Sequence, residues 1–433
     1  MILKNEIFDD RLIYKYMTKQ VKRWLLVGFI LVLILLTGYF ITKNKISEQS
    51  LQKGIQSIEQ KDYATAIRNL KKAIWWNKKS APAWLNLGKA LYYTDDLSSA
   101  LDNLDLSLSK DSFLAETYYF KGLVSMKTKD YAGSLKNLSR SISIDTLFAE
   151  AYYQRGIARA FTGDLLGSVE DFKKSVLIDG KNMDAYYKSI EEKTALADYM
   201  GAISDYDKII EADPGNADAL YKRGFFKINL GDNEGAVQDF SKSISNDDSL
   251  NDAYYQRGLC YARLKQNENA VNDFTTCINR NYNRGEMLYS RSVSYLKLNN
   301  LHKAREDIVK AISLDKSNSK YHNLGGIIQA FLQDYQGSLN YFTEAVKLDK
   351  QYGEAYFHRG VSYAILQNHT KAVEDFSKCI ELDLNNAEAY LNRGIAYVNL
   401  NRIADGCNDF NHADSMGFKG ADAYVIMYCT ELK

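Results

Sequence analysis

The chain has 433 residues, enough for about three ordinary domains, with only 2 Pro against 26 Gly and 32 Tyr. Its 55 Lys+Arg almost cancel 54 Asp+Glu, so no basic excess exists to neutralise phosphates and nucleic acid is not an expected partner. Five Cys without a CxxC and five His without ligand spacing argue against a disulfide framework, a metal site or any other cofactor.

Residues 1–23 form a basic tail. Residues 24–41 come next as WLLVGFILVLILLTGYFI, 18 positions without a charge. At 1.5 Å per residue this run is about 27 Å long, close to the hydrocarbon core of about 30 Å. Trp24 opens it, and Tyr39 and Phe40 close it, where interfacial aromatics belong. A cleaved signal peptide would have a shorter apolar core with small residues after it, whereas Thr42, Lys43, Asn44 and Lys45 stand there. The segment is therefore expected to be an uncleaved signal-anchor transmembrane helix. The tail carries Lys4, Arg11, Lys15, Lys19, Lys22 and Arg23, and the stretch beyond the anchor carries Lys43, Lys45 and Lys53. The heavier basic side stays in the cytoplasm, which places the rest of the chain on the outer side, periplasmic in a bacterium. A linker of only residues 42–46, without Pro or Gly, keeps the remainder of the chain close to the membrane surface.

A 34-residue period begins at Ser47 and runs to Gly420. Counting Ser47 as place 1, place 8 is Gly54, Gly88, Gly122, Gly156, Gly224, Gly258, Gly326, Gly360 and Gly394, broken only by Ile190 and Ser292. Place 20 is always small, as in Ala66, Ser134 and Ala270, and place 24 is always large and apolar, as in Leu70, Phe172 and Phe376. Place 4 is mostly aromatic, and place 16 is Asp or Asn in nine of eleven repeats. Two helices cross closely only where small residues meet, which places 8 and 20 supply. The acidic or amide side chain at place 16 suits the cap of a second helix. One hairpin cannot bury its own apolar faces, so hairpins must stack.

These columns resemble the tetratricopeptide repeat family, whose repeat has this length. The resemblance covers residues 47–420 as eleven repeats and implies an all-α superhelical solenoid that binds partner proteins or peptide segments. The family's proline near place 32 survives only as Pro214. Repeat five, Met183 to Asn216, has Ile190 for the glycine and Lys193 at an often aromatic place, which marks it as a weak link. Repeat nine reads YHNLGG, from which a one-residue slip is expected, with Gly325 taking the glycine role. Residues 421–433, ADAYVIMYCTELK, are expected to cover the last hairpin as a capping helix. Its consecutive apolar residues also suit self-association through an end-on contact.

No residue set suggests catalysis. Cys277 and Cys379 at place 27, Cys407 at place 21 and Cys260 stand where other repeats carry small or apolar residues, so they are expected as core. No phosphate-binding or nucleophile motif is present, and the chain is not expected to be an enzyme.

Two polar patterns stand out. Place 7 is Arg in six repeats, and in each of them place 23 is Asp: Arg155 with Asp171, Arg223 with Asp239, Arg257 with Asp273, Arg291 with Asp307, Arg359 with Asp375 and Arg393 with Asp409. These are expected as structural, half-exposed ion pairs across the hairpin seam, worth about 1 kcal/mol each. The second pattern lies on the first helix, which in the family lines the concave side. Place 5 reads Tyr119, Tyr153, Tyr187, Tyr221, Tyr255 and Tyr289, then Phe357, while place 2 is acidic in Glu116, Glu150, Asp184, Asp218 and Asp252. Places 2, 5 and 9 share one helix face. This row is either packing between first helices or the tyrosine-floored, acid-rimmed groove of a protein-binding scaffold. A chaperone-tail receptor is disfavoured: the places that would grip a terminal carboxylate hold Leu51, Ile55, Glu116 and Phe120, and Asn86 alone fits. A non-catalytic subunit of a membrane enzyme complex is the other alternative.

Overall fold

The computed structural model describes residues 10–383 and 385–429, and within them every regular element is an α-helix, 23 in all from Asp10–Glu59 to Ala421–Cys429. The helices pair as hairpins in two compact units, Met1–Gly201 and Ala202–Lys433, so the division falls inside repeat five.

Unit one opens with a single helix of 50 residues, Asp10–Glu59. Residues 42–46 are part of it rather than a separate linker, because nothing in TKNKI breaks a helix. It is the one helix among the described residues long and apolar enough to cross a membrane, with a most apolar window of mean hydropathy 2.6 that is wholly unburied. Two of its threonine hydroxyls, in and beside the apolar run, are satisfied within the helix: Thr37 donates to the carbonyls of Leu33 and Ile34, and Thr42 to that of Gly38. From Ser47 onward one face of the same helix is buried, through Ser47, Ser50, Leu51, Gly54 and Ser57, and Ser47 donates to the Ala73 carbonyl at 3.0 Å. It thus becomes the first helix of repeat one.

The same local devices build the hairpins of both units. A first helix of 13 residues, such as Ala115–Lys127, is succeeded by a second of 14, such as Tyr131–Ile144. Between them place 15 is left-handed throughout, for example Lys61 at φ +59°, Ala197 at +57° and Gly231 at +80°. Place 16 then caps the second helix: Asp62 accepts from the Thr65 amide, Asp130 from Gly133 and Asn300 from Lys303. In repeats seven and eleven, where place 16 is Gln266 or Arg402, no side chain caps. The seam is closed by the glycine column, since a Cβ at Gly258 would lie 2.7 Å from the Phe274 ring. Repeat nine keeps this register. A Cβ on Gly326 would stand 2.5 Å from Phe342, so Gly326 holds the glycine place and the expected slip to Gly325 does not occur. Gly325 instead makes room for Tyr341, whose ring would lie 2.9 Å from a Cβ there.

Successive repeats are joined by a device that the helix-forming columns do not announce. At the junctions place 31 is Asp or Asn, and at all of them but Asn281 its carboxylate or amide oxygen accepts from the amide two residues on, as in Asp111 with Phe113, Asp247 with Ser249 and Asp349 with Gln351. Such side-chain-closed turns replace the turn-forming proline that the chain almost lacks. Within the repeat, place 27 ties the second helix to the start of the first, where Ser107, Ser141 and Ser243 donate to the first carbonyl of their own repeat.

In unit two the last hairpin is covered by Ala421–Cys429, with the Phe410 ring 5.2 Å from Tyr424 and 6.1 Å from Tyr428. A disulfide joins Cys407 to Cys429, so Cys407 is not the free core thiol expected from its column. Parity misleads here because Cys260, Cys277 and Cys379 are buried core thiols, which leaves an even pair. Of the expected cap, residues 430–433 lie outside the described residues, as do residues 1–9 of the expected tail.

Candidate partner-binding face

The six Arg–Asp pairs all form, and each is bidentate. Arg257 donates through Nε and Nη2 to Asp273 at 2.9 and 2.7 Å, and Arg393 reaches Asp409 at 2.8 Å through both groups. Arg155–Asp171, Arg223–Asp239, Arg291–Asp307 and Arg359–Asp375 repeat the geometry. The carboxylates are not half-exposed: Asp171 is 1 % exposed and Asp273 4 %. Place 23 faces into the seam, and only the guanidinium edge meets solvent. The pair therefore belongs to the buried class, where losing one partner is costly. Burial pushes the Asp273 carboxyl upward despite Arg257 beside it. In five pairs the free Nη1 reaches back to place 25 of the preceding repeat: Ser139, Asp207, Ser241, Thr275 or Ser377. The aromatic residue at place 4 lies under the same guanidinium, as Tyr254 does at 5.3 Å from Arg257 and Tyr390 at 5.4 Å from Arg393. These groups form a lattice holding three helices, away from the tyrosine row.

The row itself lies on the inner layer of each unit. First helices of successive repeats approach one another, whereas second helices do not do so comparably. In unit one Tyr119, Tyr153 and Tyr187 are half-buried, Glu150 and Asp184 are exposed, and Glu116 is partly covered. In unit two Tyr221, Tyr255, Tyr289 and Phe357 are half-buried beside exposed Asp218 and Asp252. Four of the seven rings lean on the place-24 phenylalanine of their own repeat: Tyr153 on Phe172 at 5.8 Å, Tyr221 on Phe240 at 5.7 Å, Tyr255 on Phe274 at 6.2 Å and Phe357 on Phe376 at 5.8 Å. Burial first, then the neighbouring carboxylate, holds these phenols above their usual range, with Asp184 acting on Tyr153, Asp252 on Tyr221 and Glu286 on Tyr255.

Not every rim carboxylate is free. Glu116 pairs with Lys89 at 2.6 Å, Asp218 with Lys222 at 2.9 Å, and Asp252 accepts from the Tyr282 hydroxyl. The row is also interrupted in repeat nine, where places 2 and 5 are Lys320 and Asn323, a break that only its neighbours in space make conspicuous. The three free thiols, at Cys260, Cys277 and Cys379, are pushed up to about 11 by burial, the reverse of what a nucleophile requires. Cys277 instead donates to the Asn251 carbonyl, as serines do at that place.

Residues 205–238, 252–284, 285–318 and 353–386 match the tetratricopeptide repeat family. These segments are tetratricopeptide repeats, and the hairpins around them carry the same columns. No curated protein matches the chain. Among solved structures the chain is similar to the APC/C hetero-tetramer Cut9-Hcn1, at 13% identity over 88% of this chain and 96% of that one, with TM-score 0.43. It is also similar to yeast Tom70, at 13% identity over 90% and 97% with TM-score 0.42. A third likeness is to YrrB, described as a TPR protein with an unusual peptide-binding site, at 22% identity over 42% and 95% with TM-score 0.37.

Proposed function

We propose that the chain is a membrane-anchored, non-catalytic scaffold that captures segments of partner proteins on the first-helix faces of its repeats. The observation that carries this reading is the half-buried tyrosine row, in which Tyr153, Tyr221 and Tyr255 each have a phenylalanine against one side and the rest of the ring partly exposed. Tyrosine so held offers large contact area with little entropy to lose, and the exposed carboxylates beside it favour Lys or Arg in the segment. The anchor is Trp24–Ile41, whose large apolar side chains are exposed along its length; a bilayer is the solvent that suits such a helix. The repeats are placed on the outer side by the Lys/Arg asymmetry. The Cys407–Cys429 disulfide supports the same side, since such bonds persist in oxidising compartments.

The test is capture of a lysine-rich amphipathic peptide by the detergent-solubilised chain. Tyr221→Ala and Tyr255→Ala should weaken capture while the helical signal stays nearly unchanged. If the array melts and binding falls only in proportion, the row is packing and the groove reading fails.

A further inference from the structure

Within unit two the break in the tyrosine row opens a cavity of about 530 Å³ between the first helices of repeats eight, nine and ten, a size typical of ligand clefts, roughly 300–1,000 Å³. Its origin is legible in two substitutions. Where Tyr289 and Phe357 fill place 5 on either side, repeat nine has the smaller Asn323; where Glu286 and Glu354 hold place 2, it has Lys320. The floor is apolar, formed by Val293, Leu296, Leu324 and Ile327, and Phe331 at the edge is 62 % exposed. The charge of the rim is altered locally: Lys320 stands at place 2, Lys297 lines the cavity from the end of the repeat-eight first helix, and Glu354 is held by His358 at 3.4 Å. Asn323 is 3 % exposed. Its Nδ2 donates to the Tyr352 hydroxyl at 3.1 Å, and its Oδ1 has no partner within the protein. Exchanging the two ends of the carboxamide would still leave one of them unpaired, because Tyr352 meets only one.

From this geometry we infer that the repeat-nine cavity is a specificity pocket for one apolar side chain, of leucine or methionine size, in an extended internal peptide segment that carries Asp or Glu next to that residue. The apolar floor takes the side chain. Lys320 takes the acidic neighbour, which the rest of the acid-rimmed row would repel. The backbone amide beside the anchor brings a donor and an acceptor together, and a turn of the soft terminal torsion of Asn323 lets its carboxamide pair with them. The inference rests on the groove reading, and it assigns the one position along unit two where the segment must change character from basic to acidic-apolar.

The probe is a fluorescein-labelled, C-amidated hexapeptide KKELKK, read by anisotropy against the full chain in detergent, beside two others: KKEAKK, lacking the anchor, and KKKLKK, lacking the acid. Both changes should weaken binding to the native chain by about tenfold or more. Asn323→Tyr restores the row, fills the cavity and should abolish the preference for leucine over alanine. Lys320→Glu is an exposed substitution that does not touch the core, and it should invert the preference so that KKKLKK binds better than KKELKK. If the native chain binds KKELKK, KKEAKK and KKKLKK equally, or both variants keep its preferences with the helical signal intact, the pocket is overturned and the groove stands. If the native chain binds none of the peptides, pocket and groove fall together.

Discussion

A carboxylate shut into a helix seam is stable only while its cation stays. Asp273 is 4 % exposed, and Arg257 is its bidentate partner. Arg257→Ala leaves that charge unpaired, and a loss of about 3–5 kcal/mol is expected. Asp273→Ala should cost less, because Arg257 keeps its edge in solvent and its bond to Ser241. The double variant should lie close to the single arginine variant or above it in stability; urea unfolding of the four proteins in detergent measures this, and full additivity would refute the coupling. Repeat nine shows the alternative solution to the same seam, in which Gly325 and Tyr341 replace the ion pair with a ring packed over a glycine. A second residue-scale expectation concerns Ala197, held left-handed at φ +57° where Gly163 and Gly231 sit in other repeats. A Cβ in that conformation costs about 1–2 kcal/mol, partly offset by the freedom glycine adds to the unfolded chain. Ala197→Gly should therefore stabilise unit one by about 0.5–1 kcal/mol, seen as a raised thermal midpoint.

At the scale of the element, legibility in the sequence depends on whether the signal is local. The place-16 caps and the glycine seam repeat at fixed spacing within one hairpin, so a column of Asp or Gly already implies its contact. The place-31 turns are equally periodic, yet Asp111, Asp247 and Asp349 stand where the family's proline is expected nearby, and a missing proline does not say which side chain closes the turn instead. The Cys407–Cys429 bond was not legible: the two residues are 22 positions apart, and only the turn after the last hairpin brings them together. At repeat nine the departures of Lys320 and Asn323 stand in the columns, but the cavity they open does not, since a void is defined by the side chains of three helices at once. The disulfide carries its own test. Closing a loop of about 20 residues stabilises by roughly 3 kcal/mol in the chain-entropy account. Cys429→Ser should free the capping helix, expose Phe410 and lower the unfolding temperature of unit two, while Cys379→Ser, at a place where serine is usual, should leave it nearly unchanged. Equal midpoints for the native and Cys429→Ser proteins would show that the bond does not hold the cap.

At the scale of the whole molecule, the proposed anchoring makes the asymmetry of charge about Trp24–Ile41 the feature that would decide which compartment the repeats meet. Single cysteines introduced at Lys19 and Asn281, both exposed, should react with an impermeant maleimide from opposite sides of the membrane. Modification of the Asn281→Cys site from the cytoplasmic side would overturn the assignment, and with it the oxidising environment that the disulfide calls for. The scaffold reading survives either outcome, because the first-helix faces are the same on both sides; only the set of partners available to them changes.

The unbroken helix Asp10–Glu59 has a consequence for how the protein is aimed. A flexible tether would fix only distance, and the hairpins could swivel beneath the bilayer. A continuous α-helix also fixes azimuth, because every residue between lipid and hairpin contributes about 100° of rotation and about 1.5 Å of rise. The direction in which repeat one faces is therefore phase-locked to the register of the anchor. Torque applied to the hairpins is carried into residues 24–41 instead of being lost in a loop, so with the proposed anchor in a bilayer the first repeats would present their first helices along one set bearing rather than sweeping all bearings in turn.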